Sequence, residues 1–191
     1  MSEPPIRHAP FDMRVFTREQ EPELARCFLE RQDDALRRYG CRAARVGPDG
    51  EGLCAHFLAC CESGEREPVG GLVLTLPERE GARLPIETVL ESLAMLGADE
   101  RIYPPSWRTG YLGSLWMAER YAGSGVLAGL MDAGFELCCG ARMDCMVGLC
   151  SPHMLAPTLA YGFRVDRRFG RGGFFPYPDA RYMTSVVYRE M

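Results

Sequence analysis

Leu115-Trp116-Met117-Ala118-Glu119-Arg120-Tyr121-Ala122-Gly123-Ser124-Gly125-Val126 decides how this sequence reads. A short apolar run ends there, a loop of small residues follows, and from Val126 apolar residues recur at helical spacing. Gly123 and Gly125 have no Cβ, so a bulky anion can approach the main chain beside them. The first turn of the following helix would aim unpaired N–H groups and the positive end of its dipole at that anion. The chemistry is that of a diphosphate cradle. A strand-to-helix turn that needs glycine only for packing would show the same residues, Arg120 to Gly125, so the flanking segments have to decide.

Those segments alternate strands and helices. Tyr111–Met117 is the strand that feeds the loop, and Val126, Leu127, Leu130, Met131, Phe135 and Cys138 line one face of the helix beyond it, which Gly140 ends. Met143–Leu149 is apolar throughout, which predicts a central strand in parallel pairing. A short helix over Pro152–Tyr161 leads into Gly162-Phe163-Arg164-Val165, and Met183–Tyr188 closes the chain as an antiparallel arm. Upstream, residues 1–12 read as a loosely held tail ahead of a single domain over 13–191. Met13–Phe16 is a short strand, and Thr17 with Gln20 forms a capping-box pattern before an amphipathic helix that Tyr39-Gly40 ends. After a turn at Gly47–Gly50, Leu53–Cys60 and Pro68–Leu76 make a hairpin around residues 63–67. Mid-strand His56 reads as a packed histidine. Pro85–Leu96 is a helix with proline near its start. The loop from Arg101 to Thr109 is a candidate wall on the acceptor side, or a mere connector.

Composition narrows the classes. With 191 residues and 47% apolar content the chain can bury a real core. A net charge of −4 argues against a general nucleic-acid binder. No apolar run is long enough for a membrane span and the first ten residues lack a signal core, so a cytoplasmic location is expected. All 22 basic residues are arginine, which excludes a Schiff-base lysine and a Walker-type phosphate lysine. The nine cysteines include the adjacent pairs Cys60-Cys61 and Cys138-Cys139 but no Cys-x-x-Cys, so buried reduced thiols are expected and no metal site.

The pattern Arg-x-x-Gly-x-Gly over Arg120–Gly125, set between a strand and a helix, resembles the acyl-CoA pyrophosphate loop of the GNAT superfamily of N-acyltransferases. The order of elements is similar over essentially the whole chain, best over residues 111–165, and Gly162-Phe163 matches the family's usual Gly-Phe. The resemblance implies an α/β (α+β) fold with a mixed, mostly antiparallel, splayed central sheet flanked by helices. It implies that Leu115 and Met117 offer main-chain groups to a pantetheine arm. It also implies that Arg120, Tyr121, Ala122, Gly123, Ser124, Gly125 and Val126, following Trp116, hold the pyrophosphate of acetyl-CoA or another acyl-CoA, used as substrate.

The sequence departs from the family in three places. Where members often carry Asn and Tyr stand Ser151 and Thr158, and the strand Tyr111–Met117 lacks the usual carboxylate base. His153, with a side chain that changes charge near neutral pH, is the substitute base, and Tyr161 the candidate donor to the leaving sulfur. Both have a purely structural alternative, as a backbone-bonded residue at a helix start and as a core aromatic. The implied reaction is direct acyl transfer from acetyl-CoA to a primary amine of a small molecule or peptide in a ternary complex, with the Met117 N–H on the thioester carbonyl.

A looser similarity, over Ala55–Ala59, Val69–Leu72 and Leu84–Glu87, points to the branch of this fold that makes N-acyl-homoserine lactones and long-chain N-acyl amino acids, often from acyl carrier protein. Ser151, Thr158 and the missing carboxylate suit a non-catalytic acyl-CoA-binding module, and the cysteines suit an acylated thiol. Arg164, Arg167, Arg168 and Arg171 form either a solvated basic loop or a contact for the CoA 3′-phosphate or a carrier protein. Phe174-Phe175-Pro176-Tyr177-Pro178 is a candidate lid, or a packing or homodimer surface.

Overall fold

Two largely apolar runs, residues 53–61 and 68–77, build the strands on which the rest of the chain is laid. A computed structural model describes residues 11–38, 52–104, 106–178 and 180–191. β2 (Leu53–Glu62) and β3 (Pro68–Pro77) pair antiparallel around the expected 63–67 turn. β1 (Phe11–Phe16) pairs with the outer edge of β2. It starts two residues earlier than the sequence suggests, because Asp12 accepts hydrogen bonds from the Ser63 hydroxyl and the Gly64 N–H of the turn.

β4 (Thr109–Met117) and β5 (Cys145–Cys150) follow in the sheet, and β8 (Met183–Glu190) is inserted between β5 and the short β6 (Arg164–Val165). β7 (Phe175–Pro176) pairs with β8 off this path. Only β4 and β5 run parallel, so the sheet is mixed and mostly antiparallel. The apolar run around Met146 is thus central and parallel on one side, as its lack of alternation predicts.

Among the described residues four α-helices cover the two faces. α3 (Val126–Gly140) and α4 (Pro152–Ala160) lie on one face, where Leu58, Leu72, Leu74, Leu112, Met146 and Val187 meet Val126, Leu130 and Cys138. α1 (Pro22–Arg38) lies on the other, packing Leu24, Ala25 and Phe28 on Phe57, Val73 and Trp116. α2 (Pro85–Ser92) sits beside it over Tyr111, Val147 and Val186.

Thr17 and Gln20 do form reciprocal bonds (2.8 and 3.4 Å), but they close a turn. The helix begins only at Pro22, whose missing N–H suits a first turn. α2 stops four residues short of the expected Leu96, where Ala94 adopts φ +54°. The expected helix end at Tyr39-Gly40 and the turn at Gly47–Gly50 lie outside the described residues.

Two local features set the geometry at the sheet's centre. Pairing of β4 with β5 runs from Thr109↔Cys145 to Leu112↔Gly148 and stops, while β4 continues to Met117 and β5 to Cys150. The strands splay from there. On its other side β4 stays with β3, but Val73 pairs with Gly113 and Gly71 with Trp116, so Leu72 faces both Ser114 and Leu115. This is a β-bulge, with Ser114 in the left-handed region at φ +57°. The bulge reverses the alternation: Leu115 and Met117 join Leu112 on the α3 face, and Trp116 turns to α1.

The fit of α1 on the sheet depends on Gly71. A Cβ there would lie 2.1 Å from the Phe28 ring and 3.0 Å from the Leu58 carbonyl. Gly71→Ala is expected to destabilise the fold by about 1–3 kcal/mol through overpacking, read as a lower urea midpoint at unchanged slope.

Candidate functional site

The Ala118 N–H bonds the Val69 carbonyl of β3 at 2.8 Å. Because successive strand residues point their N–H groups to opposite sides, those of Met117 and Leu115 point away from β3, into the gap left by β5. The chain then makes a single 3-10 turn at Glu119–Tyr121, closed by Tyr121 N–H to Ala118 O (2.9 Å) and Ala122 N–H to Glu119 O (3.0 Å). Gly123 and Gly125 both take positive φ, +76° and +89°, and a Cβ on either would meet nothing within 4 Å. α3 starts at the next residue. Gly125 at its N-cap has no side chain to accept from the first turn, and that turn carries no acidic residue. The N–H groups of the first turn, without intrahelical acceptors, therefore face open space at the positive end of the dipole.

The residues singled out from sequence do not all present side chains to that space. Trp116 is buried against Phe28 at 5.5 Å, edge to face, and its indole N–H is buried without an acceptor among the described residues. Tyr121 is buried beside Phe11 and donates its hydroxyl to Glu62 at 2.6 Å. Ser124 turns its hydroxyl back onto the Tyr121 carbonyl at 2.6 Å. These three can reach a ligand only through the main chain. Arg120 is exposed, with its guanidinium 4.8 Å from the Tyr121 ring centre. Val126 is buried and anchors the helix on the sheet.

The two candidate catalytic side chains are not brought together. His153 is exposed in the first turn of α4, its Nε2 3.4 Å from the Ser151 hydroxyl, just past the splayed end of β5. Tyr161 is the C-cap of the same helix, eight residues and about 12 Å along the axis from His153. Its ring packs on Phe135 of α3, and burial, followed by the Asp132 carboxylate, pushes its hydroxyl up. Thr158 faces β5, accepting from the Cys150 thiol (3.5 Å) and donating to the Met154 carbonyl (2.7 Å).

On the opposite face, Glu87 is 3% exposed and gathers the N–H groups of Leu84 (2.8 Å) and Ile102 (2.9 Å) with the Arg101 guanidinium. This network pins the loop that begins at Arg101 over a cavity of about 400 Å³. Arg101, Tyr103, Trp107 and Thr109 are among its walls, and the buried Thr109 hydroxyl has no partner among the described residues. Arg168, one of the four clustered arginines, forks onto Asp166 and reaches the Ile102 carbonyl at 3.0 Å. Burial alone would raise the Asp166 carboxyl, but Arg168 outweighs it and holds it below the usual range. Arg164, Arg167 and Arg171 are exposed. In the aromatic stretch that follows, Phe175 is a fully buried core residue and Tyr177 packs partly buried against the same cluster.

His56 is half buried, and burial lowers its pKa against the opposing pull of Glu78. Among the described residues no three His, Cys, Asp or Glu side chains converge on a point that could hold a metal ion, and no helix is long and apolar enough to cross a membrane.

No protein-family model matches the sequence, and no curated protein matches it. Solved structures do match the fold. FeeM, an N-acyl amino acid synthase from uncultured soil microbes, superposes with a TM-score of 0.69 at 11% identity over 95% of this chain and 91% of its own. The AHL synthase LasI gives 0.64 at 13% identity, covering 95% and 90%. Escherichia coli ElaA gives 0.62 at 13% identity, covering 95% and 100%. The chain has the GNAT acyl-CoA N-acyltransferase fold, as the cradle motif and the order of elements led one to expect.

The thiols divide sharply. Burial pushes Cys60 up to about 11 and Cys138 and Cys145 up to about 12, while Cys139, next in sequence to Cys138, is exposed. Only the thiolate is nucleophilic. Iodoacetamide at pH 8 is therefore expected to label Cys139 ahead of Cys60, Cys138 and Cys145, as read by peptide mass spectrometry in a short time course.

Proposed function

We propose that the protein is an acyl-CoA-dependent N-acyltransferase, transferring an acyl group directly from the CoA thioester to a primary amine. One observation carries the reading: β4 runs on alone past its last pair with β5 and delivers the chain into an uncapped helix N-terminus flanked by two open glycines. The free N–H groups of Leu115 and Met117 suit an amide-bearing arm lying in the gap. The glycine loop and the first turn of α3 suit its diphosphate, with Arg120 adding charge at the rim. No side chain has to touch the ligand for this grip, so Trp116, Tyr121, Ala122 and Ser124 serve it through backbone alone.

A thioester is already activated, so the work left to the protein is to position the amine and polarise the carbonyl. The Met117 N–H is the main-chain donor we assign to that carbonyl. His153, exposed beside the splayed end of β5, takes a proton from the incoming ammonium directly or through one water. We assign Tyr161 no step, because it caps the far end of α4 against Phe135. For the acyl group, the first expectation is acetyl, delivered to a small molecule or peptide. A second reading, a longer acyl group carried by CoA or acyl carrier protein, draws support from the TM-scores of 0.69 and 0.64 with FeeM and LasI.

Release of free CoA from acetyl-CoA and from octanoyl-CoA in the presence of a mixed amine panel tests the activity and separates the two readings. Tight CoA binding without release from either donor would point instead to a binding module. Gly123→Glu puts a side chain and a negative charge into the open space of the cradle. It is expected to weaken CoA binding at least about tenfold by calorimetry, the scale of one lost charge-assisted contact, while the left-handed φ of +76° costs the fold about 1–2 kcal/mol and lowers the melting temperature by a few degrees. Unchanged affinity in the folded variant would remove the cradle assignment.

A further inference from the structure

The apex of the splay carries almost no side chain. Gly113 is the first residue of β4 beyond the last pair with β5, which joins Leu112 to Gly148. A Cβ on Gly148 would lie 2.8 Å from the Leu112 carbonyl, so only glycine allows the strands to close so tightly before they separate. Gly113 is needed for a different reason. Tyr111, two residues back on the same face, lays its ring along the strand over it. The Cβ of any other residue there would be 2.9 Å from the Tyr111 Cε1 and 3.5 Å from its hydroxyl oxygen. The hydroxyl therefore stands level with Gly113 at the apex, on the α1 and α2 face, while the α3 N-terminus opens on the other side of the strand. Gly113 itself is partly exposed, which leaves the backbone of the apex accessible at that level.

We propose that Tyr111 is a catalytic residue, donating a hydrogen bond from its hydroxyl to the thioester carbonyl oxygen at the apex of the splay. This rests on the acyl-transfer reading above and adds a side-chain donor to the main-chain one assigned there. Full burial, with the Tyr177 phenol nearby, pushes the Tyr111 hydroxyl well above its ordinary value, so it stays protonated while an amine is being acylated. It acts as a fixed donor to a developing oxyanion and not as a base. The amine nitrogen adds to the carbonyl carbon, the carbonyl electrons move to the oxygen facing Tyr111, and their return expels the CoA sulfur. Of the two protons the ammonium nitrogen gives up, one leaves to the base before attack and the other neutralises the thiolate. Tyr111 keeps its own.

The test is Tyr111→Phe, which retains the ring and its packing, measured with the same donor and amine as the wild type. The expected result is a fall in kcat of about 10²-fold, the loss typical of one oxyanion donor. CoA affinity, the KM for acyl-CoA, the melting temperature and the shape of the pH profile should be unchanged. Gly113→Ala, which keeps the hydroxyl but displaces it, should lose a similar factor, and the double variant little more than either alone. An unchanged kcat in Tyr111→Phe overturns the proposal while leaving the acyl-transfer reading intact. Loss of a limb of the pH profile would overturn it too, by making Tyr111 a titrating group. A wild type that neither binds CoA nor releases it overturns both.

Discussion

A backbone N–H buried without a partner costs on the order of 1–3 kcal/mol, and a strand that loses its neighbour exposes a row of them. Everything distinctive in this protein follows from where β4 is made to lose β5. The two strands are drawn close at Leu112 and Gly148, where the absence of a Cβ permits the contact, and they diverge immediately afterwards. β4 does not follow β5, because its pairing with β3 continues past Trp116 and Met117 to the bond from the Ala118 N–H to the Val69 carbonyl. The bulge at Ser114 adds twist at the same point. The result is a strand held from one side and unsatisfied on the other, ending in a helix whose first turn is equally unsatisfied. A ligand rich in amide and phosphate oxygens satisfies both.

The division of labour between the two faces follows from packing. α3 docks through Val126, Leu130 and Cys138 on Leu72 and Leu74, which fixes where its N-terminus points. α1 and α2 cover the opposite face as two separate clusters, one around Phe28 and Trp116, the other around Tyr111, Val147 and Phe175. The apex of the splay lies at the border between them. The Glu87 and Asp166–Arg168 networks both hold on to Ile102, so the loop from Arg101 is braced from α2 and from the β6 side at once. Under the proposed transfer reaction, a wall so fixed suits selection among acceptors better than a loop free to adapt.

Much of this is legible in the residues. The limits of α3 can be read because Gly125 and Gly140 mark its two ends in the ordinary way, and the β2–β3 hairpin because residues 63–67 are polar and turn-forming between apolar runs. The turn ahead of α3 is legible because Gly123 and Gly125 fall where the chain takes positive φ. What escapes the sequence depends on partners distant along the chain. Plain alternation would put Tyr111, Gly113, Leu115 and Met117 on one face, and no residue type announces that Ser114 adopts positive φ and reverses the last two. The Thr17–Gln20 box forms, yet the helix waits for Pro22, since a capping pattern states a local preference and not where the chain meets the sheet. His153 and Tyr161 both lie on the predicted short helix, but only the packing of α4 shows that they sit at opposite ends of it. Tyr111 gives no signal of its own, because an apolar strand context makes an aromatic look like core. The role proposed for it turns on a missing Cβ two positions away.

The reversed alternation at Ser114 also constrains how such a site can change. Side chains before the bulge and after it on β4 report to opposite layers in opposite phase, so deleting the extra residue would exchange the linings of the compartments on the two sides of the strand together. Point substitutions can reshape either compartment separately. A change in length within this strand cannot, and drift in specificity is thereby channelled into single-residue exchanges and into the surrounding loops.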